Sequence, residues 1–355
     1  MHPHRRLVSL TLFAALSACT AAQHESPNPG PVGEPTPTIP AEVTDPMASS
    51  ARMVGGEWRL TFLSGTSMYT TCHWGPGKHS LRSMTHGFEA SGDPWRDLGV
   101  AYWHPGRKQL RILGWSPWKK GVSEGEVTVD GEASVAVIDQ FETGAHRKLI
   151  SRSVFDGPDK YHSALFEVVG AGDPSPLAEW DIVRYSTLTP IRPLTAQEAG
   201  KPSEHLKPLE SLLGHSWVTT GEAKGERAAG ANFQCTFEWI PLADAIYVCV
   251  LAHGKEREPE HLLDAYVFHH TGTGALRCLA LSNRGGVYEG DVIALDGGAL
   301  QFELQGYEGD QVVPHVVRFD FEKDGTLRDR VWYLRGAERT LMLDVYLKQH
   351  EPERN

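Results

Sequence analysis

The chain repeats itself, and this constrains its fold more than any other feature. Gly55-Gly56-Glu57-Trp58 resembles Gly214-His215-Ser216-Trp217. Cys72-His73-Trp74 parallels Cys235-Thr236-Phe237, and Gly99-Val100-Ala101-Tyr102 parallels Leu263-Asp264-Ala265-Tyr266. Leu110-Arg111-Ile112-Leu113 parallels Leu276-Arg277-Cys278-Leu279. The strongest match sets Gly121-Val122-Ser123-Glu124-Gly125 against Gly286-Val287-Tyr288-Glu289-Gly290, and both runs proceed to Asp-Gly, at 130–131 and 296–297. Trp180-Asp181-Ile182-Val183 and Leu343-Asp344-Val345-Tyr346 close the series. Chance does not keep so many pairs in order at nearly constant spacing, so the chain holds two copies of one unit. The pairs delimit a first domain at 45–186, a linker at 187–202 and a second domain at 203–350.

Each copy alternates apolar residues with period two, as in Phe233, Cys235, Phe237 and Trp239, or Leu276, Cys278 and Ala280. Turn signals break the runs at Gly75-Pro76-Gly77, His104-Pro105-Gly106, Gly272-Thr273-Gly274 and Asp324-Gly325. Many short, evenly spaced strands predict an all-β chain. Closing each sheet removes its edges, and eight to ten strands suit a lipocalin-sized barrel. The prediction is two tandem calycin/lipocalin-like antiparallel β-barrels, each preceded by a short helix. The first helix has Asp45 as N-cap and Pro46 at its first position. The second has Ser203 as N-cap, then His205, Leu206, Leu209, Leu212 and Leu213 at helical spacing.

The N-terminus sets the compartment. Arg5 and Arg6 precede a short apolar run, Leu7 to Leu16, well under the roughly 20 residues of a spanning helix. Residues 1–18 therefore read as a signal peptide. Leu16-Ser17-Ala18-Cys19 resembles a bacterial lipobox, which implies acylation of Cys19 and a membrane anchor. Two or three acyl chains anchor stably where one does not, at about 0.8 kcal/mol per buried CH₂. Thr20 follows, without the Asp of an inner-membrane retention signal. In a Gram-negative cell that favours the outer membrane. From Cys19 to residue 44 the chain is rich in Pro, Ser, Thr and Glu, a composition that cannot bury enough surface to order itself. It reads as a tether with a reach on the order of 80 Å.

The formal net charge is −11 with no basic cluster, which excludes an electrostatic nucleic-acid binder and leaves the lipid as the membrane contact. No HExxH, CxxC pair, EF-hand spacing or GxSxG elbow occurs. His73, His79 and His86 lie near one another in sequence, and His269-His270 is a pair, but neighbours on a strand point to opposite faces. No metal, cofactor or catalytic residue is expected. His350, at the end of the last strand run, is the one residue a haem reading would use. Cys235 and Cys249 flank the turn Pro241-Leu242-Ala243-Asp244 nearly symmetrically, which suggests a cross-strand disulfide. Cys249 with Cys278 competes, as does burial of all four mature cysteines as small hydrophobes.

The second copy, from Glu204-His205-Leu206 through Gly214-His215-Ser216-Trp217 and Gly286-Val287-Tyr288-Glu289-Gly290 to Asp324-Gly325, resembles a family of bacterial lipocalin-like domains, the domain of unknown function fifteen-seventy-nine. The resemblance spans most of 203–348 and, more weakly, 45–186. It implies a calycin-like barrel and no established activity. It also implies that Trp58 and Trp217 close one end of each barrel beside a basic residue of the last strand, with Arg184 and Lys348 as candidates. The expected function is a non-enzymatic binding module for a small apolar or envelope-derived ligand. An envelope scaffold is the alternative, and a haem-binding or hydrolytic barrel stands behind both.

Overall fold

The computed structural model describes residues 46–61, 66–88, 91–116, 121–170, 172–228, 231–241, 243–254, 258–336 and 338–350. The signal peptide, Cys19 and the tether lie outside these residues. The first copy runs β1 (Glu57–Thr61), β2 (Ser67–Trp74), β3 (Ser80–Phe88), β4 (Pro94–His104), β5 (Gln109–Ser116), β6 (Gly121–Asp130), β7 (Ala133–Glu142), β8 (Ala145–Phe155), β9 (Lys160–Val168) and β10 (Ser175–Tyr185). The second runs β11 (Ser216–Lys224), β12 (Phe233–Ile240), β13 (Ala245–Ala252), β14 (Glu260–His270), β15 (Ala275–Ser282), β16 (Val287–Ala294), β17 (Leu300–Glu308), β18 (Gln311–Phe321), β19 (Leu327–Arg335) and β20 (Glu338–His350). Each set forms a closed antiparallel barrel of ten strands, in which every strand pairs with the next and the last returns to the first. The all-β expectation of two tandem barrels therefore holds.

The expected short helix precedes each barrel. Both are 3₁₀ helices, Ala48–Met53 and Lys207–Leu212, with N-cap residues Met47 and Leu206, while Asp45 lies outside the described residues. Ser203 is not a cap; its backbone N–H donates to the Asp244 carboxylate at 3.0 Å. The spacing explains the 3₁₀ form. A 3₁₀ helix has three residues per turn and eclipses i with i+3. Leu206, Leu209 and Leu212 all fall on one face and are fully buried, as are Met47, Ser50 and Met53. Each lead segment is thus a short plug in the lower end of its barrel. The linker beyond β10 is also tied down: Thr189 donates through its backbone N–H and its hydroxyl to Glu57, at 2.7 and 2.8 Å.

The barrels pack side against side. The outward apolar side chains Leu98, Val100, Tyr102, Leu113 and Trp115 of β4 and β5 join Tyr247, Tyr266, Phe268, Leu279 and Leu281 of β13–β15 in one buried cluster. Equivalent strands meet, and the contacts come in swapped pairs. His104 faces Glu289 at 3.4 Å, while His270 faces Glu124 at 3.2 Å. Tyr307 packs on His104 with ring centroids 4.5 Å apart, and Phe141 packs on His270 at 4.8 Å. A Cβ at Gly106 would stand 2.3 Å from the Tyr307 ring, and one at Gly272 would stand 2.4 Å from Phe141. Close approach therefore requires glycine at both turns. This reciprocity is the signature of an isologous two-fold interface, here built within one chain. It also corrects the pairing of the copies along β4 and β14. His104 matches His270, so Tyr102 corresponds to Phe268 and Val100 to Tyr266, two residues off the sequence alignment.

Candidate functional site

The residues singled out in the sequence scatter over the fold. Trp58 is buried and donates from Nε1 to the Met53 carbonyl at 3.0 Å. The Arg184 guanidinium sits over its ring, 4.4 Å from the centroid. Trp217 is buried too, but Lys348 pairs with its neighbour Val218 and points outward. Gln349 is the residue opposite Trp217, because a one-residue step along a strand reverses the face. The same rule undoes the expected disulfide. Thr236 opposes Cys249 and Cys235 opposes Val250, so Cys235 faces the barrel interior and Cys249 the seam. All four described cysteines are free. His269 stacks on His205 at 3.6 Å beside the lower plug, whereas His270 faces the seam. His350 is exposed at the end of β20.

The lumens are where the two copies part. The middle of the first barrel is lined by Ser151, Ser153 and Ser163, all fully buried. Thr70 and Thr85 hydrogen-bond there at 2.8 Å, and Ser153 and Ser163 at 2.9 Å. Its upper end is shut. Met68 and Trp95 are 1% exposed. Arg147 spans the opening, donating to Glu167 at 2.7 Å with Glu142 at 4.0 Å.

In the second barrel the register sets Val317, Phe319 and Asp329 at the levels of Ser151, Ser153 and Ser163. Lumen and plug form one apolar cluster. Its upper part is open: the inward-facing Val250, Leu263, Val317, Val331 and Leu343 are only half-buried. Gly306 stands where the first barrel has Gln140, and His315 where it has Leu149. A Cβ at Gly306 would meet the His315 ring at 2.7 Å and Tyr288 at 3.0 Å. Those two rings pack edge to face at 5.2 Å. His315 Nδ1 lies 2.8 Å from the Val313 carbonyl and donates to it, which leaves Nε2 as an acceptor. Burial lowers the His315 pKa, so the imidazole is neutral near pH 7.

Asp329 is the polar group at the floor of this cup. It is 6% exposed, and its Oδ1 has no hydrogen-bond partner among the described residues. Burial, aided by the charge of Asp344, pushes its carboxyl up to about 7. Burial also raises the nearby Cys235 thiol well above its ordinary range. Half-buried inward apolar side chains above a polar group with a displaced pKa suit a small-molecule site. A carboxyl that keeps its proton can donate a hydrogen bond, and the Nε2 of His315 can accept one. The sequence carries one overlooked signal for this. In Leu327-Arg328-Asp329-Arg330-Val331 the aspartate falls in the apolar phase of the alternation, and both arginines fall outside it.

A second space lies on the pseudo-two-fold axis between the barrels. This cleft, of about 90 Å³, is lined by Tyr102, Arg111, Glu124, Phe268, Arg277 and Glu289. Arg107 reaches Glu289 at 3.5 Å, and Arg277 reaches Asp291 at 3.4 Å. Burial raises the Glu289 carboxyl, but the hydrogen bond with His104 and the arginine charges outweigh it and hold the group below its ordinary value. Its charges are largely paired, so this cleft reads as part of the seam.

No family model matches the chain, and no curated protein does. The fifteen-seventy-nine resemblance is therefore not shown. Among solved structures, the chain is similar to a protein of unknown function from the DUF3598 family of Nostoc punctiforme. The identity is 10% and the TM-score 0.24, covering 85% of this chain and 97% of that one. It is also similar to a Nitrosomonas europaea protein described as an AttH candidate, at 10% identity and a TM-score of 0.15, covering 89% and 98%. Similarity at that level assigns no function.

Proposed function

We propose that this chain is an exported, lipid-anchored binding module that holds a small apolar ligand in the lumen of its second barrel. One observation carries the reading. Inward-facing apolar side chains are half-buried at the upper end of the second barrel, whereas the first barrel is sealed at the same level. Water against an apolar wall is costly, and an apolar guest relieves that cost at roughly 25 cal/mol per Å² covered. Asp329 and His315 give the guest a polar end to meet. The anchor rests on the lipobox ending at Cys19 and places the module at the cell envelope. The fifteen-seventy-nine resemblance, carried by the Gly-x-x-Trp starts at Trp58 and Trp217, belongs to the same proposal.

A fluorescent apolar probe titrated into the full chain tests the ligand reading. The proposal expects saturable binding that Leu343→Trp reduces at least about tenfold by filling the mouth. Binding that Leu343→Trp leaves intact would place the probe elsewhere. For the anchor, Cys19→Ala should release the protein from the membrane fraction, and unchanged fractionation would refute it. The sealed first barrel favours a second reading, in which the rigid pair of barrels is a scaffold for an envelope partner. A crosslinked partner, together with absent probe binding, would select it.

A further inference from the structure

The seam between the barrels holds a group of donors that the ligand reading does not use. Cys249 on β13 and His261 and Asp264 on β14 each offer one ligand atom, and the three atoms lie within 4.8 Å of one another. A β-bulge brings them together. Cys249 opposes Asp264 directly, and the register then slips between Val250 and Leu251, so that Leu251 opposes His261. The extra residue turns His261 onto the outward face that Asp264 already occupies. Bulges commonly re-aim a side chain in this way.

The geometry is convergent rather than serial. His261 Nε2 is 3.6 Å from Cys249 Sγ and 2.7 Å from Asp264 Oδ1. A catalytic relay would use both ring nitrogens, one toward the nucleophile and one toward the carboxylate. Here one nitrogen faces both partners, so the three donors point at a common centre. We propose that Cys249, His261 and Asp264 bind a zinc ion, with the fourth position left to water. Tetrahedral zinc with ordinary bond lengths separates sulfur from imidazole nitrogen by about 3.6 Å, and nitrogen from carboxylate oxygen by about 3.4 Å. The first spacing is already present. The second needs the His261–Asp264 hydrogen bond to open by under about 1 Å. The protons balance: Cys249 releases its thiol proton to solvent, the proton on His261 moves from Nε2 to Nδ1, and Asp264 binds as the carboxylate.

The surroundings come from both barrels. Tyr247 donates to Asp264 Oδ1 at 2.5 Å, and Arg82 of the first barrel lies over the Tyr247 ring, 4.8 Å from its centroid. Outer groups of this kind orient metal ligands. The thiolate and carboxylate together bring two negative charges against the one positive charge of Arg82. His261 is 35% exposed, which gives the ion a path in. Among its described residues the first copy has no such set. There the register pair corresponding to Cys249 and Asp264 is Met84 and Leu98. Among the described residues, the site belongs to the second copy alone.

The test uses the full chain stripped of metal with a chelator, then titrated with Zn²⁺ calorimetrically and with Co²⁺ by absorption. The inference expects one saturable equivalent of Zn²⁺ and a thiolate-to-cobalt charge-transfer band. Cys249→Ser should abolish the band, and both Cys249→Ser and His261→Ala should weaken Zn²⁺ about a hundredfold or more. Removing the exposed His350 should change nothing. Wild-type protein supplies a readout free of folding defects: bound Zn²⁺ should slow iodoacetamide labelling of the half-buried Cys249. Zn²⁺ binding unaffected by the Cys249 and His261 variants, absence of a one-equivalent site, or labelling of Cys249 indifferent to Zn²⁺ would each overturn it.

Discussion

The two barrels share a strand plan and differ in what fills them. At matched levels the first has Ser151, Ser153 and Ser163 where the second has Val317, Phe319 and Asp329. The first closes its upper end with Trp95, Met68 and the Arg147–Glu167 pair; the second leaves Leu263, Val331 and Leu343 half-buried around Gly306. Strand pairing needs only the backbone and the alternation, so both lumens satisfy it equally. The seam constrains the outward faces instead. Its reciprocal contacts, His104–Glu289 and His270–Glu124, remain paired in both copies. Duplication thus freed the insides to diverge while these reciprocal contacts across the seam stayed matched.

That contrast can be broken by mutation. Trp58→Ala, which empties a fully packed end of the first barrel, should cost about 3–5 kcal/mol in urea unfolding. Val331→Ala, at the open end of the second, should cost about 1 kcal/mol or less. Equal losses would mean that the second mouth is as tightly packed as the first. The Asp329 carboxyl gives the next largest effect. Its ordinary value is 3.8 and its native value about 7, so between these pH values the native state holds a proton that the unfolded chain has lost. Its stabilising share is complete below pH 3.8 and is lost as pH rises through about 7. Stability should fall across that window by up to about 4 kcal/mol. Asp329→Asn should flatten that slope, and an unchanged slope would show that another group sets it.

At the seam, His104→Ala and His270→Ala should each cost about 1–3 kcal/mol, with the two values alike because the contacts are reciprocal. Strongly unequal costs would break the pseudo-symmetry. The smallest effect concerns the cysteines. Cys72, Cys235, Cys249 and Cys278 should all alkylate in denaturant without reductant, and a mass that shifts only after reduction would restore a disulfide.

Much of this architecture was legible in the residue order. The duplication, the alternation and the Asp-Gly turns at 130–131 and 296–297 lead directly to tandem barrels. The leads were legible as short helices but not as 3₁₀ helices, because Leu206, Leu209 and Leu212 fit both helical periods, and burial under a barrel chose the tighter one. The copies slipped by two residues along β4 because its match to β14 rested on one Ala-Tyr pair, until His104 and His270 fixed the pairing in space. The Cys249–His261–Asp264 cluster was invisible because a bulge, not spacing, assembles it. Lumen openness was hidden too, since it depends on how inward side chains from many strands fill one interior, and no single run of sequence shows that.

The central claim, an open second lumen beside a sealed first, is tested most directly by counting apolar probe molecules bound per chain in native mass spectra, with and without Leu343→Trp. One molecule per chain, lost on that substitution, is the predicted result. No bound probe, two per chain, or one that survives Leu343→Trp would contradict it.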